Sequence, residues 1–351
     1  MSGHGRGAEA LGRGLRLTCV AAVALLRELW CLVPELRSAE AAERQRYGEL
    51  LRAVRQRSMP TPMPGFADEV DEAADGLQMR CLVSDGQRRV RFRVAYDGGQ
   101  YSGWARVKGG SLLTVAGLLD RALSLHLRQK IFVCGASRTD AGVHAQGQAA
   151  HFDIPEKLAE ERPENWKEQW ERKLNQQLPG DIRVRNFHDA PRDFHSRFSA
   201  VSKTYVYRIH YGKDPSDPFE RFYRFQLPLG WVRSFDIDRL HTVATCFIGS
   251  KDFAYFTQLA KLEGNRSSHR TIEDIRVVDE LPGQTCRIEI DLDGALFRMV
   301  RNMVGCMVAG ACGRLSAEHI DEMLEAERRY DFPCLPAHGL CLDMVHYRES
   351  F

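Results

Sequence analysis

The sequence predicts an α+β fold built on mixed or antiparallel sheet, and three observations carry that expectation. Strand-like and helix-like hydrophobic periods alternate along the chain from residue 89 onward. Several neighbouring strands are joined by short turns, such as Pro282-Gly283, and short connections require antiparallel pairing. The spans 89–196 and 197–351 have similar sizes and similar alternation, though no sequence repeat, so two subdomains with a cleft between them are expected.

Each element has its own signal. Val90, Phe92, Val94 and Tyr96 alternate with polar residues, the period of a half-buried strand, and Asp97-Gly98-Gly99 supplies a turn. Leu112, Val115, Leu119 and Leu123 recur at helical spacing in a stretch ending near Leu127. Short strands are expected at Ile131 to Ala136 and Gln148 to Phe152. Trp166, Trp170, Leu174 and Leu178 step by four along one face of a helix that stops at Pro179-Gly180, and core packing is their expected role. Further strands are expected at Ile182 to Phe187, Thr204 to Tyr211, Thr271 to Val278 and Cys286 to Leu292. Helices are expected at Ile237 to Cys246, Phe297 to Ala311 and Ala317 to Ala326.

Composition sets the outer bounds. At 351 residues, with 44% hydrophobic and 27% charged residues, the chain can bury a substantial core and is neither disordered throughout nor a multi-span membrane protein. A net charge of +2 confines any nucleic-acid site to a local basic patch. The 10 cysteines include no Cys-x-x-Cys pair, which argues against a zinc ribbon and a small disulfide scaffold.

Residues 1–88 differ from the rest. All twelve basic residues there are arginines, and only Glu9 among the acids precedes Arg27. With the apolar run Leu17 to Leu26, this pattern suits a processed targeting segment, an organellar presequence or a secretory signal. The run is far shorter than the ~20 residues of a bilayer span, so no membrane anchor is expected. Glu35 to Arg57 reads as a solvated helix, and Met59 to Asp75, with three prolines and five acids, as a linker.

The chemistry concentrates in Gly135 to Asp153, GASRTDAGVHAQGQAAHFD. This segment links two strands and presents Asp140 beside Arg138, with Gly142 allowing close backbone approach. An aspartate in such a loop is commonly a turn former. An Asp140-His144 pair would suit a hydrolase, but no Gly-x-Ser-x-Gly elbow, P-loop or dinucleotide fingerprint accompanies it. A metal phosphoesterase would need clustered ligands, and His151, His188 and His195 are irregularly spread.

The string SRTDAGVHA closely resembles the signature of the TruA family of tRNA pseudouridine synthases. YDGGQYSGW (Tyr96 to Trp104), LNQQLPGDIRV (Leu174 to Val184), DFHSRFSAVSKTYVYRI (Asp193 to Ile209), MVRNMVG (Met299 to Gly305) and PAHGLCL (Pro336 to Leu342) resemble further blocks of that family in its order. Together they span about residues 89–347. The resemblance implies the pseudouridine synthase fold with a central RNA-binding cleft, and an isomerase that needs neither metal nor organic cofactor. It makes Asp140 the nucleophile, Arg301 the cation paired with it, and Tyr205 the aromatic ring that stacks on the target base. Arg138 would take the space of the flipped nucleotide, and Phe194, His195, Arg197, Phe198 and Arg270 fall where the family contacts RNA. Ala105 stands where the family usually carries glutamine. The DFHSRFSAVSKTYVY block looks like the bacterial-type branch, which implies tRNA as partner, the anticodon stem-loop as target and a homodimer. An Arg-rich leader on such a core suits an organelle, the mitochondrion before the plastid, with cytoplasm or nucleus the destination if the leader is not a targeting segment. A non-catalytic RNA-binding protein of the same fold is the alternative, and it would require loss of the Asp140, Tyr205 and Arg301 set.

Overall fold

A computed structural model describes residues 83–106, 113–258 and 267–348. The expected targeting segment, solvated helix and linker lie outside the described residues. The described residues begin slightly ahead of the expected boundary: Val83 is buried, and its amide donates to the Arg192 carbonyl at 3.1 Å.

The elements run β1 (Gln87–Tyr96), α1 (Val115–Leu127), β2 (Cys134–Gly135), β3 (His144–Pro155), α2 (Glu156–Glu160), α3 (Trp166–Gln177), β4 (Ile182–Ala190) and β5 (Ala200–His210). There follow β6 (Phe225–Gln226), α4 (Leu229–Val232), α5 (Ile237–Thr245), β7 (Gly249–Asp252), β8 (His269–Leu281), β9 (Thr285–Leu292), α6 (Met299–Ala311), α7 (Ala317–Leu324) and β10 (Leu340–Tyr347). Ten strands form one sheet in the order β4-β1-β3-β10-β5-β9-β8-β7, with β2 paired to β3 and β6 to β5. The Pro282-Gly283 turn does join an antiparallel pair, β8 and β9. Among the described residues only β3 with β10 and β5 with β6 run parallel.

Residues 89–196 therefore supply one side of the sheet and residues 197–351 the other. They meet where β10 lies between β3 and β5, pairing Cys341 with His144 and Tyr205 with Leu342. No expectation from sequence covered β10, although it holds the middle of the sheet.

Local chemistry explains the boundaries. The alternation in β1 buries Val90, Phe92, Val94 and Tyr96 on one face. On that face Phe92 stacks on Phe187 at 5.0 Å and meets Phe152 at 5.6 Å, while Trp170 of α3 closes over Phe152 and Phe187 at 6.2 Å each. The tryptophans are core residues, as expected. Thr114 caps α1 by accepting from the Gly117 amide, and Arg128 ends it in the left-handed region at φ 53°.

The strand expected over Ile131 to Ala136 shrinks to Cys134–Gly135. The Val133 amide donates to the Asp120 carboxylate at 2.7 Å and the Ile131 amide to the Ser124 hydroxyl at 2.9 Å, so α1 side chains take donors that a ladder would use. In the second half α6 is buried along most of its length and packs on α5 through Gly310 and Val243. Among the described residues no helix is long and apolar enough to cross a membrane.

Candidate active site

The segment between β2 and β3, residues 136–143, is held from several sides. Gln148, fully buried on β3, takes the Ser137 amide at 3.1 Å and donates its own NH₂ to the Ser137 carbonyl at 2.7 Å. A 2.7 Å hydrogen bond joins the Thr139 hydroxyl to Tyr96 at the end of β1. The Thr139 carbonyl accepts from the Trp104 amide, and a Cβ on Gly103, at φ +95°, would stand 2.6 Å from that oxygen. Such bracing leaves Asp140 with little freedom of orientation.

Asp140 faces Arg301 from the first turn of α6. The guanidinium Nη1 donates to Asp140 Oδ2 at 3.1 Å, while Nε donates to the Leu335 carbonyl at 2.8 Å. Both side chains are largely buried, 19% exposed for Asp140 and 14% for Arg301. The fork is thereby fixed at two points, and the carboxylate has a charge-assisted partner in place of bulk water.

Tyr205 completes the group. Its hydroxyl hydrogen-bonds with Ser137 Oγ at 2.7 Å, and burial pushes the phenol up to about 12, with Asp140 nearby adding to the rise. The ring is a neutral, apolar surface at any physiological pH.

These groups line a cavity of about 760 Å³ to which both halves of the chain contribute. Arg138, Arg197, Phe198 and Arg270 also border it, so the structure brings together seven of the nine residues singled out from sequence. Ala105, the departure from the family pattern, lines the same cavity.

Phe194 and His195 are the exceptions. They are buried, 6% and 1% exposed, and neither lines the cavity. His195 Nδ1 accepts the amides of Arg197 and Phe198 at 3.1 and 3.3 Å, and its Nε2 faces Cys134 Sγ at 3.7 Å. The Phe194 ring packs against Tyr347 and His151. Both thus lie beneath the surface, and His195 holds from below the turn that presents Arg197 and Phe198.

The Asp140-His144 pair of a hydrolase does not form. His144 Nδ1 lies 3.0 Å from Asp97 Oδ1, and its Nε2 faces the carbonyls of Phe222 and His338. Hydrogen bonding from His144 holds the Asp97 carboxyl well below the usual carboxylate range.

Among the described residues Cys134, His151 and His195 bring donor atoms within 4.8 Å of one another. Their hydrogen bonds do not suit a metal. With Nδ1 of His195 accepting two amides, the neutral ring carries its proton on Nε2, the atom that faces the thiol.

Sequence reasoning missed Ser137, Gln148 and Lys203. The last could have been found by strand period, since Lys203 and Tyr205 share a sheet face.

A sheet carrying a braced carboxylate, a paired guanidinium and an aromatic wall in an arginine-edged cavity offers the groups that chemistry on a nucleic acid requires. The family model described as tRNA pseudouridine synthase matches residues 93–199 and 243–348. The chain is 37% identical over 259 residues to the tRNA pseudouridine synthase A of Methylacidiphilum infernorum, covering 73% of this chain and 94% of that one. It is 32% identical over 258 residues to the tRNA pseudouridine synthase A 2 of Bacillus cereus, covering 73% and 98%. A third relative, the tRNA pseudouridine synthase A of Maridesulfovibrio salexigens, is 34% identical over 268 residues, 75% of this chain and 92% of its own. The chain belongs to the tRNA pseudouridine synthase family, and its mixed sheet with flanking helices is the pseudouridine synthase fold.

Proposed function

We propose that this protein isomerises uridine to pseudouridine in the anticodon stem-loop of tRNA, with Asp140 as the nucleophile. The 3.1 Å contact between Asp140 and Arg301 inside the cavity carries this reading. The reaction breaks the bond from N1 to the ribose and forms one from C5 to the same carbon; C5 gives up a proton and N1 takes one up. It has no net redox or hydrolytic component. A carboxylate suits it because the detached uracil must be held, turned and rejoined while the sugar carbon is occupied.

Arg301 pairs with the carboxylate and holds it aimed as water leaves. Tyr205 offers a neutral face to the base, with its hydroxyl tied back to Ser137. The exposed Arg138 lies at the cavity where a base drawn from the stack leaves a gap, and Arg197 and Arg270 border the path of the backbone.

The bacterial-type blocks support the anticodon stem-loop as target and a homodimer as the working assembly. The arginine-rich, acid-poor leader supports an organellar destination, the mitochondrion first. The test is a map of pseudouridines in cellular RNA with and without the protein, repeated with Asp140→Asn. Loss of anticodon-arm sites in the absence of the protein, restored by the parent chain but not by the variant, is the expected outcome. An unchanged map refutes the reading.

A further inference from the structure

We propose that Lys203 binds a phosphodiester flanking the target uridine, making the inner wall of the cavity a built anion site. The inference rests on the function proposed above and deepens it.

Lys203 lies in mid-sheet on β5, paired with Leu292 of β9 and Val345 of β10. It is 7% exposed and lines the cavity. Its ammonium has three N–H donors, and one goes to the Ala136 carbonyl at 2.9 Å. Among the described residues no carboxylate forms an ion pair with it.

The charged groups facing Lys203 come from three directions. Arg197, from the turn before β5, and Arg270, from β8, oppose its charge, while Asp293, just after β9, favours it without reaching ion-pair distance. Asp140 and Tyr205 share the cavity. Burial, followed by Arg197, pulls the ammonium down to about 8. An ammonium taken out of water without a counter-ion is costly, so such a group commonly marks a place where an anion arrives.

The substrate carries one phosphate per nucleotide. Two residues of strand separate Lys203 from Tyr205 by about 7 Å along β5, a distance one nucleotide spans from base to phosphate. With the base on Tyr205, its flanking phosphate falls at Lys203, and the strand continues past Arg197 and Arg270 toward solvent. A compact ammonium suits a single phosphate oxygen, whereas the planar fork of Arg301 suits the Asp140 carboxylate.

The test uses the full chain and an anticodon stem-loop RNA, made either unmodified or with one neutral methylphosphonate linkage 5′ or 3′ of the target uridine. Lys203→Met should weaken binding about 10- to 100-fold and flatten the salt dependence by roughly one phosphate contact. Its single-turnover rate at saturation should change much less. At one of the two linkages the methylphosphonate should weaken the parent equally, and Lys203→Met should then add nothing. Lys203→Arg should recover part of the affinity.

Parental affinity should fall as pH rises above about 8, because the ammonium loses its proton; bound phosphate moves that midpoint upward, and Lys203→Arg should show no such fall. The melting temperature of Lys203→Met should not drop, since a buried unpaired charge is removed. The proposal is overturned if variant and linkage effects add at both positions. It is also overturned if only the saturated rate falls, which would place Lys203 on the base, or if Lys203→Met melts earlier with unchanged affinity, which would make the lysine structural. Pseudouridine formation by the parent in the same RNA tests the substrate reading separately.

Discussion

Removing Arg301 should expose what the Asp140 pair contributes. Arg301→Met deletes both the 3.1 Å bond to Asp140 and the 2.8 Å bond to the Leu335 carbonyl, leaving a carboxylate that is only 19% exposed without its cation. Breaking a fully buried pair by removing one partner costs ~3–5 kcal/mol. Solvent reaches the edge of this pair, so about 2–3 kcal/mol is expected here, which as a barrier is roughly 30- to 150-fold in rate. The assay is a single-turnover time course with saturating enzyme for parent, Arg301→Met and Arg301→Lys, with RNA affinity measured separately. Lysine restores charge but cannot reproduce the two-point fork, so it should fall between the other two. Urea unfolding supplies a second readout. In an Asp140→Asn background the stability cost of Arg301→Met should shrink by about 1 kcal/mol or more, because no bare charge is left behind. Parental rates in Arg301→Met, a loss confined to affinity, or additive stability effects would refute the pairing argument.

Asp140→Asn should abolish turnover while leaving fold and RNA affinity nearly intact; residual single-turnover activity within about tenfold of the parent, ~1.4 kcal/mol of barrier, would remove Asp140 from the chemistry. Gly305→Ala should cost about 3 kcal/mol or more in urea unfolding, because the new Cβ would stand 1.8 Å from the Pro333 carbonyl oxygen, two residues before the Leu335 carbonyl that anchors Arg301. Burial, reinforced by the charge of Arg89, holds His151 well below the ordinary imidazole range. Unfolding then lets it take up a proton, so its stabilising contribution is present above about pH 6.5 and lost as pH falls toward the folded value. Urea midpoints between pH 7.5 and 5 should show a shallower acid slope for His151→Gln than for the parent.

How much was legible in the sequence follows from the range of the forces involved. The strands β1, β4, β5, β8 and β9 and the helices α1, α3, α5, α6 and α7 carry their own hydrophobic patterns, so local pattern finds them. β10 does not: Leu340, Cys341, Leu342 and Val345 are buried around the half-exposed Asp343 and Met344, which erases strict alternation. Its parallel pairing to β3 depends on a contact between residues nearly 200 positions apart. The truncation of β2 was hidden for another reason, since it depends on Asp120 and Ser124 presenting side-chain acceptors from α1.

The site divides along the same line. Signature blocks located Asp140, Tyr205 and Arg301, but a block does not say which of its members faces the cavity. In the run from Phe194 to Phe198 the turn sends Phe194 and His195 inward and leaves Arg197 and Phe198 at the surface. The cause is the pair of amide bonds to His195 Nδ1, which fold Arg197 and Phe198 back over the imidazole. Ser137, Gln148 and Lys203 hide in the opposite way. Each is unremarked as a residue type, and each acquires its role from what the fold places opposite: the Tyr205 hydroxyl, the Ser137 backbone and the Ala136 carbonyl. β3 supplies Gln148, β5 supplies Tyr205 and Lys203, and β10 lies between these strands. The strand that sequence pattern did not reveal is thus the one that brings the Asp140 loop and the aromatic wall to the same cavity.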